Sequence, residues 1–394
     1  RSLGNLTKTN PRSRRDNMSF IRSLLNSAYF ILLLYKLHEV SSSKLSNHQT
    51  EKQYIILQWT NKSLAPFNAM GEGNSKFVIK QCRYTNCFVT DKRDYLPNLE
   101  DFDAIAFNGR EVIHLTPDQL PQKRSPKQKY IYGNLESSDR FPVCDHMFDG
   151  FFNWTWTYKL DSDIQWDYLQ AYDLADNTVA PAIDVQWVKD MKSVSNAFKN
   201  KLKSKSKAAA WFVSNCHTVA RREDFVEDLQ KELEVFGLSV DIYGKCGPLD
   251  CSRSKESKCF DLIKKDYYFY LSFENSYSED YVTEKLMTAL NNDAIPIVFS
   301  GADYSRFLPP GSYLNARELG PKKLAETING IINNKTLYYD FFRWKNYYKY
   351  KRTAYKVGVC NLCAMMNNKE KVAEESVWYN FRSWWNGARH NINC

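Results

Sequence analysis

No RNA- or DNA-binding signature and no internal repeat occur in the 394 residues, although a net charge of +9 invites a nucleic-acid partner. The charge is unevenly placed. Residues 1–22 hold Arg1, Lys8, Arg12, Arg14, Arg15 and Arg22 against Asp16 alone, and the remainder is unremarkable for its size, which argues against nucleic acid. Long apolar runs are also scarce. Residues 24–34, LLNSAYFILLL, fall short of the roughly 17–25 residues of an ordinary span. No small-residue cleavage site of a secretory signal stands near Ser41–Ser43. Basic residues ahead of an apolar run nevertheless read as a signal anchor with its N-terminus in the cytoplasm. The expected order is a basic tail at 1–22, a single-pass (type II) membrane anchor at 23–40 and a polar stem at 41–51.

What is present is apolar and aromatic mass. A chain that is 43% hydrophobic and 15% aromatic can bury a large core and suggests two domains. Ten cysteines point to an oxidising compartment. Sequons at Asn61, Asn153 and Asn334 fall in the expected lumenal part and are candidates for glycosylation, whereas those at Asn5 and Asn17 would face the cytoplasm. Anchor, cysteines and sequons together indicate the secretory pathway, with a Golgi membrane as the expected location.

Strand-length apolar runs begin at Tyr54–Trp59 and recur at Phe102–Phe107 and Tyr130–Leu135, with a helix-like stretch at Thr116–Gln122 between the last two. This alternation predicts a first α/β domain over 52–198. Lys199–Lys207, with five lysines, reads as a solvated linker. A second domain over 208–350 then opens with a strand at Ala208–Val213 and the turn SNCHTVARR. A helix with Phe225, Val226, Leu229 and Leu233 on one stripe follows, ended by Gly237, and Val240–Tyr243 is the next strand. Two strand–helix–strand units in series predict a Rossmann-like domain, and the whole predicts two α/β domains facing across a cleft.

Tyr267–Phe299 carries most of the functional signal. An aromatic strand at Tyr267–Phe273 breaks at Glu274, Asn275 and Ser276, and a helix is predicted from Asp280 with Val282, Leu286, Ala289 and Leu290 buried. Tyr281, Glu284 and Lys285 would then share a face at the helix start, beyond the carboxyl end of the strand, where α/β sheets bind ligands and phosphates. A ring, a carboxylate and an ammonium there suit a nucleotide-sugar.

The run FENSYSEDYVTEKL (273–286) resembles the signature of the α1,3-fucosyltransferases, an inverting family that uses GDP-fucose. The likeness covers roughly residues 100–370 and is strongest at 267–301. It implies the GT-B arrangement of two facing Rossmann-like domains, glycosyl transfer to the 3-hydroxyl of GlcNAc, and no essential metal. Asp161-Ser162-Asp163 has the spacing of a metal clamp but lies in the acceptor-side segment, and stimulation by Mn²⁺ or Mg²⁺ is left open. Ser214-Asn215 followed by Arg222 is similar to the family's Ser-Asn…Arg pattern, which implies donor binding, with Arg222 and Lys285 neutralising the diphosphate. Asn275 and Tyr281 would orient the donor, Glu284 would meet fucose hydroxyls and stabilise cationic character, and Tyr243 would stack on guanine. Glu274 is read as either structural or functional.

The stretch NLESSDRFPVCDHMFDGFFNWTWTYKLDSDI (134–164) resembles the family's acceptor side and makes Glu136 the implied general base. Ser138 stands where the family usually has proline, a departure within the loop that carries Glu136. Cys82 and Cys87, paired with Cys360 and Cys363, are implied to be disulfides that tie a C-terminal segment, 351–394, back onto the first domain. YGKCGPLDC (243–251) and the cysteine-rich C-terminus look most like members that modify the Asn-linked core GlcNAc of N-glycans. The Lewis type, acting on lactosamine antennae, and a catalytically silent glycan-binding member are the alternatives.

Overall fold

The computed structural model describes residues 52–251, 256–353 and 356–394. The expected tail, anchor and stem lie outside the described residues. Among the described residues no helix is long and apolar enough to cross a membrane.

The first sheet contains β1 (Tyr54–Gln58), β2 (Cys87–Thr90), β3 (Ala104–Asn108), β4 (Lys129–Asn134), β5 (Trp154–Thr157) and β6 (Ile164–Gln165). All pairings are parallel, in the order β2-β1-β3-β4-β5-β6. Every residue of β3, β4 and β5 is buried, as expected of parallel strands covered on both faces. A short antiparallel pair follows, β7 (Leu169–Tyr172) with β8 (Thr178–Ala180).

The second sheet contains β9 (Lys207–Phe212), β10 (Val240–Tyr243), β11 (Tyr267–Phe273), β12 (Ile295–Phe299) and β13 (Leu314–Asn315), again all parallel, in the order β10-β9-β11-β12-β13. Its second-first-third-fourth-fifth order matches that of the first five strands of the first sheet. The two-Rossmann expectation is met, with topology repeated where sequence is not. Helix α1 (Arg222–Glu234) buries Val226, Leu229 and Leu233 with Phe225 half-buried beside them. Gly237, at φ +66°, turns the chain so that Leu238 N–H reaches Leu233 O at 3.1 Å, as a Schellman cap requires. Helices α2 (Glu256–Asp266), α3 (Lys285–Asn291) and α4 (Ala316–Asn333) complete the second half.

The chain then returns. β14 (Lys349–Arg352) pairs with β7, α5 (Lys356–Met366) packs on β6, and α6 (Phe381–Asn386) places Phe381 and Trp385 against Tyr132 of β4. Cys82–Cys360 and Cys87–Cys363 are the bridges the resemblance implied, and Cys144–Cys394, Cys216–Cys246 and Cys251–Cys259 use the other cysteines.

Three expectations are corrected. Thr116–Gln122 holds only a single 3-10 turn, Pro117–Gln119, because Pro121 lacks the N–H that a second turn would use. Asn153 does not project a sequon into solvent. It is buried, accepting from Tyr130 N–H at 2.7 Å and from Arg124 while donating to Ser376 O at 2.6 Å.

The lysine run is not a solvated linker. It forms a helix (Asn196–Lys201) and a 3-10 turn. Leu202 is buried there, and Lys205 is only 3% exposed, its Nζ donating to Ile263 O at 3.2 Å and Tyr267 O at 2.7 Å. Burial outweighs the nearby Asp293 and Asp266 and pushes the Lys205 ammonium down to about 7. Between about 7 and its unfolded value near 10.4 the unfolded chain holds a proton that the folded chain lacks, so this group's contribution to stability rises with pH. Melting of wild type against Lys205→Met should show the difference in stability growing in favour of wild type from pH 7 to pH 9.

Candidate active site

The strongest local frame is the connection from β11 to α3. Phe273 ends the strand and Glu274 follows, 1% exposed. The Glu274 carboxylate accepts from Thr283 N–H at 2.8 Å, from Thr283 Oγ1, and from Lys285 Nζ at 2.7 Å. This resolves the ambiguity in Glu274: it closes the loop. It also explains why the helix does not start at Asp280. Asp280 has φ +55°, accepts from Leu160 N–H at 3.1 Å and pairs with Arg306 at 3.0 Å, so residues 281–284 stay extended or turning and α3 begins at Lys285. Tyr281, Glu284 and Lys285 therefore do not share a helical face, yet all three reach one cavity.

Gly301, just past β12, is the keystone for this loop. A Cβ at Gly301 would lie 1.8 Å from Tyr277 O and 3.0 Å from Ser278 C. Gly301→Ala must displace the Tyr277–Ser278 backbone, and a cost of about 1–3 kcal/mol is expected. Thermal melting together with GDP titration checks this: both stability and donor affinity should fall.

On the opposite wall, β4 delivers Asn134, whose Oδ1 accepts from Glu136 N–H at 2.9 Å. The next residues bind the second half directly. Ser137 Oγ donates to Ser276 Oγ at 2.7 Å, Ser138 Oγ to Ser278 Oγ at 3.1 Å, and Asp139 accepts from Tyr277 N–H at 3.2 Å. Ser138 N–H also donates to Tyr158 Oη at 3.1 Å, which uses the N–H that the family's proline lacks. The Glu136 loop and the Asn275 loop are thus joined.

Between them lies a cavity of about 280 Å³, with Glu136, Asn275, Tyr281, Glu284 and Lys285 in its wall. The same wall includes Arg140, Trp166, Asp167, Tyr168, Arg352 and Thr353, which sequence reasoning did not single out. Trp166, Asp167 and Tyr168 lie just beyond the acceptor-like run, after Gln165. Arg352 and Thr353 arrive through β14, and no local signal announces them. Burial pushes the Tyr168 and Tyr281 hydroxyls well above the usual phenol range, with Glu136 adding to both effects. A larger cavity of about 590 Å³, walled by Trp187, Met191, Pro309 and Trp344, contains none of the expected site residues. Among the described residues no group of three His, Cys, Asp or Glu is arranged to hold a metal.

Four expected donor-site residues do not reach the 280 Å³ cavity. Ser214 and Asn215 sit in an exposed loop after β9, which Cys216–Cys246 ties to the segment after β10. Arg222 is 4% exposed, its Nη1 donating to Phe273 O at 2.5 Å and Nη2 to Asn215 O at 3.2 Å. Its guanidinium braces the strand end that carries Glu274 and Asn275. Tyr243 is 7% exposed, packed edge-on against Phe212 with its hydroxyl 2.7 Å from that of Tyr267, so it offers no open face to a base. Asp161 and Asp163 accept from the indoles of Trp384 and Trp378, each at 2.8 Å.

Residues 202–384 match the family model for glycosyltransferase family 10 (fucosyltransferase), C-terminal, and residues 51–169 match that for the fucosyltransferase N-terminal region. Over 378 residues the chain is 35% identical to α-(1,3)-fucosyltransferase C of Drosophila melanogaster, covering 90% of this chain and 86% of that one. The chain belongs to the glycosyltransferase family 10 fucosyltransferases. It is also 32% identical to glycoprotein 3-α-L-fucosyltransferase A of the same fly, covering 83% of this chain and 60% of that one. A 4-galactosyl-N-acetylglucosaminide 3-α-L-fucosyltransferase of Pongo pygmaeus is 30% identical, covering 82% of each chain. The 280 Å³ cavity draws Glu136 from the N-terminal match and Asn275, Tyr281, Glu284 and Lys285 from the C-terminal one.

Proposed function

We propose that this enzyme transfers L-fucose from GDP-fucose, with inversion, to the 3-hydroxyl of the Asn-linked core GlcNAc of N-glycans, in the lumen of the Golgi. The observation that carries the chemistry is the convergence of Glu136 with Asn275, Glu284 and Lys285 on one cavity between the loops of two Rossmann-like sheets. Glu136 takes the proton of the acceptor 3-hydroxyl as that oxygen bonds to the fucose anomeric carbon. The bond from that carbon to the β-phosphate oxygen breaks, and its electron pair leaves with GDP. Lys285 neutralises the developing diphosphate charge. Glu284 faces the sugar and stabilises its cationic character, and Asn275 and Tyr281 orient the donor. Arg222 acts behind them, by holding Phe273 and Asn215 in place.

Likeness to the glycoprotein 3-α-L-fucosyltransferase supports a glycoprotein acceptor, and the YGKCGPLDC segment with the cysteine-rich C-terminus favours the core GlcNAc. The test offers GDP-fucose with a core N-glycopeptide and, separately, N-acetyllactosamine. Transfer to the glycopeptide is expected. Transfer to lactosamine alone reassigns the acceptor, and GDP binding without any transfer identifies a silent binder.

A further inference from the structure

Asp167, in the link between β6 and β7, is 7% exposed and lines the cavity that holds Glu136. Its Oδ2 accepts from Gln170 Nε2 at 2.9 Å, and the Gln170 amide is oriented by Tyr172 Oη, which donates to Gln170 Oε1 at 2.7 Å. Its Oδ1 is buried with no hydrogen-bond partner. Buried carboxylate oxygens are rarely left unpaired, because desolvation is then uncompensated. The fold uses one carboxylate oxygen, Oδ2, to hold Gln170, and the bond that ties the segment to the C-terminal return, from Thr353 Oγ1, ends on the Asp167 main-chain oxygen, which leaves Oδ1 without a structural task. Its neighbour Tyr168 donates to Leu135 O, one residue before Glu136, so the two acids are fixed in one wall. Burial also pushes the Asp167 carboxyl up to about 6, against the bond from Gln170, which lowers it.

We propose that Asp167 is an acceptor-binding residue: its carboxylate, one oxygen of which lacks a partner, turns to accept a hydrogen bond from a hydroxyl of the sugar acceptor seated beside Glu136. The assignment rests on the fucosyl-transfer reading above. It makes the polar wall of the cavity two-sided: Lys285 and Asn275 for the donor, Asp167 for the acceptor.

Asp167→Asn is the informative variant. Gln170 presents a donor, so the new amide must turn its oxygen toward Gln170 and place its NH₂ where Oδ1 stood, replacing an acceptor with a donor. The acceptor KM should rise about ten- to a hundredfold, as loss of a bond to a charged group implies, while the GDP-fucose KM stays within about twofold. Melting should show Asp167→Asn at least as stable as wild type, because a buried unpaired charge has gone. Asp167→Ala should show the same KM pattern. An unchanged acceptor KM, or a change confined to the donor KM, overturns the proposal. Calorimetric titration of the N-glycopeptide into the GDP-bound protein separates this claim from the reading beneath it. Binding by wild type that is lost in Asp167→Asn supports the proposal even without turnover. Equal binding by both, or by neither, contradicts it.

Discussion

Glu136→Gln is expected to lower the rate of fucose transfer by about 10²–10⁴-fold while leaving GDP affinity unchanged, measured by product formation beside GDP titration. The substitution keeps shape and the main-chain bond to Asn134 Oδ1, and removes only the ability to take a proton. The cavity offers poor substitutes. Burial holds the Tyr168 and Tyr281 hydroxyls well above the usual phenol range, so neither serves as a base near neutral pH. Arg140 stands 3.9 Å from the Glu136 carboxylate, and its contribution is small because both side chains are substantially exposed. Asp167 is the one other carboxylate on the acceptor wall. The two roles separate cleanly, since the base variant should lose kcat and the Asp167 variant should raise the acceptor KM.

The second large effect is at Lys285. Its Nζ lies 2.7 Å from Glu274 Oε2, a carboxylate that is almost wholly buried, whereas Lys285 itself keeps partial access to the cavity. Removing one member of such a pair leaves the other uncompensated, at about 3–5 kcal/mol. Lys285→Met should therefore both destabilise the fold, lowering the melting temperature by about 5–15 °C, and weaken GDP binding. The double variant Lys285→Met, Glu274→Gln divides these effects. Neutralising Glu274 should restore much of the stability, because the amide still accepts from Thr283, but not the GDP affinity. Recovery of both would make Lys285 purely structural.

Local signals in the sequence carry the sheets but stop short of several contacts of the folded chain. Both sheets were legible because parallel strands buried on two faces leave continuous apolar runs such as FDAIAF and YYFYLSF. Glu136 and the 273–286 loop were legible through resemblance, the bridges Cys82–Cys360 and Cys87–Cys363 likewise. Spacing misled at Asp280: a periodicity argument cannot see one left-handed residue, held by Leu160 and Arg306, that delays a helix by a full turn. Charge misled at Lys205, which turns inward onto the carbonyls of Ile263 and Tyr267 while Lys201, Lys203 and Lys207 stay exposed. A sequon misled at Asn153, whose side chain is spent inside the fold. Asp167 and Arg352 come together through strand pairing between residues far apart in the chain, and only the folded molecule shows that.

The central claim is that donor diphosphate and acceptor meet in the cavity shared by Glu136 and Lys285. A crystal structure of the protein with GDP tests it most directly. The account predicts the β-phosphate beside Lys285 and Asn275, within reach of the space in front of Glu136. A diphosphate seated elsewhere, with Lys285 still engaged by Glu274 and Thr283 and the 280 Å³ cavity free of it, would contradict the account.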